Sequence, residues 1–178
     1  SYYLDFAPKG GKRVAYAASI GMNDFPIKEK GEIQKLLKKY SKISVRERHA
    51  QKLLKSLEIE SEVVLDPTLL LDSNQWSAIA DRHRIKFEER YVLIYSVERK
   101  EQDKLIEKYA REVAKKESLM IYQVSYSGVN KRLTCADRFF GHATPDLFLN
   151  LIKHASYAVV SSFHGTAFAI NFNKPFLT

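Results

Sequence analysis

The chain of 178 residues is 45% hydrophobic and has a single cysteine, so it can build a globular core but cannot form an internal disulfide. Its longest apolar stretches fall far short of the roughly 20 residues of a membrane-spanning helix, so we predict no membrane span. The net charge of +8 points first to nucleic acid, yet most lysines alternate with leucines and acidic residues at helical spacing. Solvated helix faces explain these lysines, and we rank an anionic small substrate above DNA or RNA.

The first part of the chain alternates short strands with amphipathic helices. Residues 13–18 predict a buried strand that ends in a loop at Ser19 to Gly21, and residues 43–45 and 62–65 predict two further strands. Apolar residues at helical spacing predict two helices between these strands. Their buried positions are Ile33, Leu36, Leu37 and Tyr40 in the first helix, and Ala50, Leu53, Leu54 and Leu57 in the second.

A change in pattern divides the chain. After residue 71 the apolar periodicity loosens, and charged residues crowd together between Trp76 and Arg90. We therefore predict two lobes, with residues 1–80 in the first and residues 81–178 in the second.

The second lobe repeats the alternation. Residues 91–96, 119–124 and 157–160 predict strands, and another strand begins at residue 176. Residues 125–144 are polar and lack sustained periodicity, so most of them should form a loop. A long helix after the first of these strands has a predicted buried face of Leu105, Ile106, Tyr109, Ala110 and Val113.

Two more helices are predicted near the end of the chain. Thr144, Pro145 and Asp146 are typical of a helix start, because threonine can cap free amides and aspartate favours the positive end of the helix dipole. A short helix follows residues 161–166 and stops before Pro175. The buried face of the first of these helices is predicted to be Leu147, Phe148, Leu151 and Ile152.

Strands that alternate with amphipathic helices imply parallel sheets covered by helices, so the predicted fold is α/β with two Rossmann-like lobes. In open α/β sheets, ligands bind beyond the carboxyl ends of the strands. The candidate binding residues at such positions are Ser19 to Gly21, Arg46, Asp66, and Ser161 to Thr166.

The run from Ser161 to Thr166 is the strongest candidate for chemistry, because it leaves a strand and opens a helix, where backbone amides bind anions. We expect the hydroxyls of Ser161, Ser162 and Thr166 to bind phosphate or carboxylate oxygens. Gly165 would let a ligand approach the backbone closely, and His164 would donate a proton. The structural alternative is that His164 only caps the helix and bonds a neighbouring carbonyl.

Arg46 and Asp66 have two interpretations each. Arg46 follows a strand, where its guanidinium could bind a carboxylate or phosphate in a bidentate manner. Alternatively, it could form an ion pair with Glu47 or Asp66. Asp66 could bind substrate, or could only form the turn before Pro67.

Metal and nucleotide motifs are not found in the sequence. The remaining histidines lack ligand spacing, so we predict no metal centre, and neither a phosphate loop nor a dinucleotide fingerprint is present. These histidines are His49, His83, His142 and His154.

Five short blocks recur in a characteristic order along nearly the whole chain. They are Tyr2 to Phe6, Tyr16 to Gly21, Ile43 to Glu47, Val64 to Leu70 and, above all, Ser161 to Phe168. Together they resemble the polysaccharide pyruvyl transferase family. Five blocks in order are specific for the family, although less so for its substrate.

The resemblance implies a GT-B-like fold in which each lobe is incomplete in this chain, because a family lysine and several outer elements would lie beyond its ends. It implies transfer of an enolpyruvyl group from phosphoenolpyruvate to sugar hydroxyls, giving a pyruvate ketal, with no metal or cofactor. His164 and Arg46 match the family's essential histidine and arginine. On this basis one anionic donor would lie between the imidazole of the second lobe and the guanidinium of the first.

The resemblance also implies a setting and partners. Family members act in the bacterial cytoplasm on precursors of exopolysaccharides or other cell-surface glycans. The implied partners are phosphoenolpyruvate and a sugar or glycan-precursor acceptor, with peripheral association with the glycan assembly machinery. Two alternatives stay open: a GT-B glycosyltransferase that uses a nucleotide sugar, and a non-catalytic basic module that binds nucleic acid or an acidic polymer.

Overall fold

The computed structural model describes residues 3–8, 10–97, 100–125 and 132–178, and of residues 100–103 it describes the backbone only. Tyr2 of the first family block and residues 126–131 of the predicted loop lie outside the described residues. The chain forms two compact units, Ser1–Leu70 and Leu71–Thr178. Each unit has its own parallel sheet and its own hydrophobic core, as the alternation of strands and helices predicts.

The first unit contains a three-stranded parallel sheet in the order β1–β2–β3. The strands are β1 (Val14–Ala18), β2 (Lys42–Val45) and β3 (Glu62–Val63). Helix α1 (Lys30–Leu37) joins β1 to β2, and helix α2 (Arg48–Ser56) joins β2 to β3. A short 3-10 helix, Pro67–Leu69, follows β3.

The core of this unit confirms one helix face in full and corrects the other. The four positions predicted for α2 are all buried. In α1 only Ile33 is buried, and the helix ends at Leu37, so Tyr40 lies outside it. The chain must turn there to enter β2 at Lys42, and the backbone N–H of Tyr40 closes that turn by donating to the carbonyl of Leu37.

The second unit contains a five-stranded parallel sheet in the order β6–β5–β4–β7–β8. The strands are β4 (Tyr91–Tyr95), β5 (Met120–Val124), β6 (Arg138–Phe140), β7 (Tyr157–Val160) and β8 (Phe176–Leu177). The helices are α3 (Ser73–Ala80), α4 (Lys100–Glu117), α5 (Pro145–His154) and α6 (Phe163–Asn171). Strand β6 lies within the stretch that we predicted to be mostly loop.

Helix α3 belongs to the second unit, although the sequence places residues 73–80 in the first lobe. Its last residue, Ala80, is fully buried, and its carbonyl accepts a hydrogen bond of 3.1 Å from the side chain of Asn150 in α5. Trp76 packs edge-on against Phe168 of α6, with 5.0 Å between the ring centroids. These contacts explain why the units divide after Leu70.

Helix α4 buries only part of the predicted face. Ile106, Ala110 and Ala114 are buried, whereas Leu105 is 52% exposed and Tyr109 is 38% exposed. The buried residues are spaced four apart and pack in one core cluster with residues of β4, β5 and β7. Leu105 and Tyr109 each lie one position before this stripe and line an open pocket beside the ends of β7 and β8, which leaves them partly exposed.

Helix α5 begins where the sequence predicts, but its cap differs in detail. Thr144 occupies the position before the first turn and Pro145 the first helical position, as expected. The Thr144 side chain makes no bond to a backbone amide of the helix, so it does not act as the predicted cap. Its hydroxyl instead hydrogen-bonds Asp146, whose pKa is lowered by that contact.

The strand order identifies one edge of the second sheet as the place for a ligand. From β4 the chain moves outward through β5 to β6 and then returns to the other side of β4 with β7. Such a reversal is the topological switch point of a doubly wound sheet, where ligands bind beyond the carboxyl ends of the strands. The residues that follow β4 and β7 therefore line the candidate site of this unit.

Candidate active site

Strands β4 and β7 end side by side at the switch point. Their parallel pairing runs as far as Tyr95 and Val160, and the backbone N–H of Ser161 then donates to the carbonyl of Tyr95 at 3.1 Å. Beyond this bond the two chains separate. β4 continues into Ser96 and Val97, while β7 turns into helix α6.

Ser162 begins α6. Its hydroxyl oxygen accepts a hydrogen bond of 2.9 Å from the backbone N–H of Gly165, which is the usual contact of an N-cap residue. His164 lies in the first turn that this contact closes, and its exposed ring packs edge-on against Phe163 at 5.4 Å. The helix start thus presents an imidazole at the carboxyl edge of the sheet, where the sequence predicts it.

The three hydroxyls of the run all have partners within the protein. Ser162 caps the helix, and Thr166 Oγ1 donates to the backbone carbonyl of Ser162 at 3.2 Å. Ser161 Oγ accepts from the backbone N–H of Val97 at 3.1 Å and lies 3.3 Å from Ser96 Oγ. The structure therefore gives each hydroxyl a role in shaping the corner, and their predicted contact with an anion stays a prediction.

Gly165 allows helix α6 to pack closely against the sheet. It is buried, and a Cβ atom added there would lie 3.0 Å from Tyr95 Cδ1 and 3.1 Å from Val160 Cβ. A larger residue would therefore require Tyr95 or Val160 to give way. Gly165 allows close approach of the helix to the sheet, and its expected role in close approach by a ligand stays a prediction.

A second group of predicted site residues lies at the carboxyl edge of the first sheet. Arg46 forms ion pairs with Asp66, through Nη1, and with Glu47, through Nε at 3.0 Å. Glu47 in turn accepts a hydrogen bond of 2.6 Å from the hydroxyl of Ser19. The structure thus brings Ser19, Arg46 and Asp66 together, with Glu47 as the link that the sequence interpretation treated only as an alternative partner.

Asp66 is buried, with 4% of its surface exposed, and both of its carboxylate oxygens are used. Oδ1 accepts from the backbone N–H of Thr68 at 2.9 Å and from its hydroxyl at 2.7 Å, while Oδ2 pairs with Arg46. Asp66 is also the N-cap of the short 3-10 helix at Pro67. The geometry makes it a residue that holds Arg46 and the turn, as the alternative interpretation stated.

Arg46 and Glu47 each stabilise the ionised form of the other. Burial by itself raises the pKa of Glu47, but hydrogen bonds from Ser19 and Arg46 and the charge of Arg46 bring it below its ordinary value. Burial by itself lowers the pKa of Arg46, but the hydrogen bonds that it donates to Asp66 and Glu47 raise it above its ordinary value. The ionised forms of Glu47 and Arg46 are therefore both favoured.

A bulge in β1 positions Ser19. The pairing of β1 with β2 shifts between Ala15 and Ala18, and Ala17 adopts a left-handed backbone with φ of 50°. Left-handed alanine is strained, by about 1–2 kcal/mol. The hydroxyl of Ser44 in β2 stabilises this backbone by accepting the Ala17 N–H at 3.0 Å. The bulge turns the chain at the point where β1 delivers Ser19.

Gly21 is exposed and lies with Ser19 at a pocket of about 440 Å³ in the first unit. The lining is mainly apolar and includes Tyr3, Phe25 and Leu54. Such a surface suits an apolar or ring-shaped group better than a phosphate. The predicted substrate contact of Gly21 is not tested by this geometry.

Several surface lysines pair with acidic neighbours. Lys30 lies 3.1 Å from Asp24, and Lys38 lies 3.6 Å from Glu58. Such pairs are typical of solvated helix faces. They agree with our explanation of the positive charge, and the predicted lack of nucleic-acid binding stays a prediction.

Metal-binding clusters and membrane-spanning helices are both absent from the described residues. Within residues 3–8, 10–97, 100–125 and 132–178, no three or more histidine, cysteine, aspartate or glutamate side chains lie close enough to hold a metal ion. In that same part of the chain, no helix combines the length and apolar character needed to cross a bilayer.

Sequence reasoning missed Ser96, Val97 and Tyr95 as parts of the site. All three lie at the end of a predicted strand, so the rule that ligands bind beyond strand ends could have identified them. What the sequence could not show was that β4 and β7 are neighbours. Only the strand order brings these residues next to Ser161.

Comparisons with known proteins agree with this architecture. A UDP-forming α,α-trehalose-phosphate synthase from Burkholderia xenovorans aligns with a TM-score of 0.51 and 8% identity, over 83% of this chain and 49% of that chain. This likeness concerns the fold alone, and it supports the predicted GT-B-like α/β fold with parallel sheets. Comparison with curated protein sequences finds no match.

Two further solved structures align with lower scores. The wall teichoic acid polymerase TagF has a TM-score of 0.48 and 11% identity, over 93% of this chain and 46% of that chain. A proposed UDP-N-acetylglucosamine 2-epimerase from Listeria monocytogenes has a TM-score of 0.46 and 11% identity, over 86% of this chain and 45% of that chain. The chain spans about half the length of the structures that it resembles.

A protein-family model matches the whole chain. The model described as polysaccharide pyruvyl transferase matches residues 1–178, which include both strand-edge groups and the helix start at Ser162. The sequence blocks and the parallel two-unit fold agree with that match. The chain therefore belongs to the polysaccharide pyruvyl transferase family.

Proposed function

We propose that the protein transfers an enolpyruvyl group from phosphoenolpyruvate to two hydroxyls of a sugar and so forms a pyruvate ketal. Membership of the family supports a transferase of glycan biosynthesis. The proposal adds the donor and the product. The single observation that carries it within the fold is His164, which lies in the first turn of α6 at the switch point of the second sheet.

The reaction needs one proton in a specific place. When the methylene carbon of phosphoenolpyruvate takes a proton, the neighbouring carbon becomes an oxocarbenium-like centre that a sugar hydroxyl attacks. A second hydroxyl of the same sugar then replaces the phosphate at that carbon. Of the two hydroxyl protons, one balances the proton gained by the methylene and the other leaves with inorganic phosphate.

We assign the proton transfer to His164. An imidazole can act as an acid near neutral pH, and general acid catalysis typically accelerates a reaction by about 10²–10⁴-fold. The ring is exposed at a helix start, where backbone N–H groups and the helix dipole favour an anionic substrate. Both features suit a donor that carries a carboxylate and a phosphate.

Arg46 is the second residue that we assign to the reaction. A guanidinium has five N–H donors, and those in contact with Asp66 and Glu47 fix its plane. Such fixed donors stabilise developing negative charge at little reorganisation cost. In the proposal Arg46 binds a carboxylate or phosphate oxygen of the donor, and Asp66 and Glu47 hold it in place.

The proposal includes a biological setting. We place the enzyme in the bacterial cytoplasm, in the synthesis of an exopolysaccharide or another cell-surface glycan, in peripheral association with the assembly machinery. The acceptor is a sugar or glycan precursor. This setting follows from the family and is subject to the same test as the chemistry.

Incubation of the full chain with phosphoenolpyruvate and a panel of sugar acceptors tests the proposal. We expect phosphate release that depends on the acceptor, together with a product heavier by one pyruvate and lighter by one water. Mass spectrometry and the methyl resonance of the ketal identify that product. Phosphate release without an acceptor serves as the blank.

A parallel incubation with nucleotide sugars separates the main alternative. Release of a nucleotide from a UDP-sugar, without turnover of phosphoenolpyruvate, would assign the protein to the glycosyltransferases instead. Steeply salt-dependent binding to nucleic acid or an acidic polymer, without either turnover, would favour a non-catalytic module.

A further inference from the structure

A hydroxyl bridge joins the ends of β4 and β7 beside His164. Ser161 Oγ accepts the backbone N–H of Val97 at 3.1 Å and lies 3.3 Å from Ser96 Oγ. On the main chain, the N–H of Ser161 donates to the carbonyl of Tyr95. Ser161, which directly follows β7, therefore contacts the last residue of β4 and the two residues after it.

The geometry of a parallel ladder explains why the bridge uses a side chain. In a regular ladder a residue donates to one residue of its neighbour and accepts from the residue two positions further on. Ser161 donates to Tyr95, so its carbonyl would be the regular acceptor for Val97. Its hydroxyl accepts that N–H instead. The backbone of β7 can then leave the sheet while β4 remains attached to it.

This departure sets the start of α6. Ser162, the next residue, has an extended backbone with φ of −111° and ψ of 147° and caps the helix that carries His164. Gly165, in the same turn, packs against Tyr95. The Ser161 bridge and the Gly165 contact thus hold the first turn of α6 to the end of β4 from two sides.

We propose that Ser161 is a positioning residue, which through Ser96 and Val97 fixes the imidazole of His164 for proton transfer rather than binding the substrate itself. This inference rests on the proposed function, because it names the device that supports its acid. Misplacement of a catalytic group by about 1 Å costs up to about a hundredfold in rate. Loss of the bridge should therefore reduce turnover more than donor affinity.

The test compares Ser161→Ala with Ser161→Thr in the full chain. Ser161→Ala removes the acceptor of Val97, so we expect kcat to fall by about tenfold to a hundredfold while KM for phosphoenolpyruvate changes by less than about twofold. Ser161→Thr keeps the hydroxyl and should retain most of kcat. Ile121→Val, a small change in the buried core between α4 and the sheet, controls for general loss of stability.

The kinetic outcomes separate positioning from binding. An unchanged kcat in Ser161→Ala overturns the inference, and so does an equal loss in Ser161→Thr. A rise in KM at constant kcat also overturns it, because that result assigns the hydroxyl to the substrate. A loss of kcat in Ile121→Val as large as that in Ser161→Ala shows that stability, not position, is responsible.

Amide hydrogen exchange tests the bridge without any turnover. In Ser161→Ala we expect the amides of Val97 and Gly165 to exchange about fivefold faster or more, since one hydrogen bond contributes about 1 kcal/mol. Unchanged exchange at Gly165 would show that the bridge does not hold the start of α6. If the unmodified protein fails to release phosphate from phosphoenolpyruvate, the proposed function fails, whereas the bridge is still judged by this exchange.

Discussion

The hydroxyl oxygen of Ser162 lies 2.9 Å from the backbone nitrogen of Gly165 and accepts its hydrogen. This contact closes the first turn of α6 around His164 and sets the direction in which the helix leaves the sheet. Helix α5 begins differently, because the side chain of Thr144 makes no comparable bond to its backbone. Ser162 and Thr144 both occupy the N-cap position of a helix, but only the side chain of Ser162 bonds the backbone of the first turn.

Ser162→Ala should destabilise the second unit by about 0.5–2 kcal/mol, the usual effect of losing an N-cap. Thr144→Ala should cost less, since no cap bond is lost. Trp76 is the single tryptophan and contacts Phe168 of α6, so its fluorescence during urea unfolding reports on this unit. Equal shifts in the two variants would contradict the assignment of the cap.

Gly165→Ala should destabilise the second unit by about 1–3 kcal/mol, because the added methyl group would lie 3.0 Å from Tyr95 Cδ1 and 3.1 Å from Val160 Cβ, so these neighbours must give way. Gly31 offers a matched control in α1, where an added Cβ meets nothing within 4 Å. Gly31→Ala should stabilise by up to about 1 kcal/mol through helix propensity. Urea unfolding of both variants measures the difference. A neutral Gly165→Ala would mean that α6 can shift without cost.

Asp66→Ala should destabilise the first unit by about 2–4 kcal/mol, because it removes the buried partner of Arg46 and the acceptor of the Thr68 N–H. Glu62→Ala breaks an exposed ion pair of 3.5 Å with Lys42 and should cost less than about 1 kcal/mol. Because Trp76 lies in the other unit, amide exchange at the buried Val45 is the better measurement. Similar exchange in both variants would argue against a structural role for Asp66.

The first unit should lose stability in acid through Glu47. Burial raises the pKa of this carboxyl, but hydrogen bonds from Ser19 and Arg46 bring the net value below its ordinary 4.5. A lowered pKa in the folded state contributes stability above that ordinary value, and this contribution is lost as pH falls through the lower, folded value. The protection of the Val45 amide, corrected for the intrinsic pH dependence of amide exchange, should therefore fall below about pH 4.5.

Glu47→Gln should flatten this acid dependence and weaken the hold on Arg46. Glu62→Gln removes the same charge from an exposed position and should leave the dependence in place. If the two variants show the same profile between pH 3 and pH 6, roughly the range in which a carboxyl titrates, Glu47 does not cause the loss of stability.

Sequence periodicity predicted most strands and helices, because their core faces follow the spacing of the element. Helix α2 is the clearest example, with all four of its predicted apolar positions buried. Periodicity was misleading for α4, where Leu105 and Tyr109 fit a helical stripe but lie beside the one that touches the sheet. The predicted apolar face of α4 is wider than the part of the helix that contacts the sheet. Periodicity alone cannot show which residues of so wide a face are buried.

Some structural features that periodicity does not predict have a local signal in the sequence. Helix α3 begins with a capping box in which Asp72 and Gln75 bond each other's backbone, a pattern that is readable from the sequence. The charges that crowd together after Trp76 interrupt the short apolar pattern, so periodicity alone does not predict this helix. Asn150 shows the opposite case, since nothing local predicts that a polar residue of α5 is buried against the carbonyls of Ala80 and His83.

The candidate site was predictable in its residues but less so in their roles. Ser161 to Thr166 lie at a strand exit, as expected, yet Gly165 packs against Tyr95, and the hydroxyls bond neighbouring groups of the chain. These contacts depend on which strands are neighbours, and strand order is a long-range property of the fold. Strand-end position alone therefore identified the site without identifying what each side chain touches.

His164→Asn should abolish most of the proposed activity while it leaves the fold intact. We expect acceptor-dependent phosphate release to fall by about 10²–10⁴-fold, because the amide of asparagine cannot donate a proton as an acid. The ring of His164 is exposed, so the unfolding midpoint reported by Trp76 should correspond to a change in unfolding free energy within about 0.5 kcal/mol.

His142→Asn is the matched control. It removes an exposed imidazole from the same unit at a backbone φ of 54°, which asparagine tolerates. Full turnover in His164→Asn would remove this imidazole from the mechanism, and an equal loss in His142→Asn would show that the effect is not specific to the start of α6.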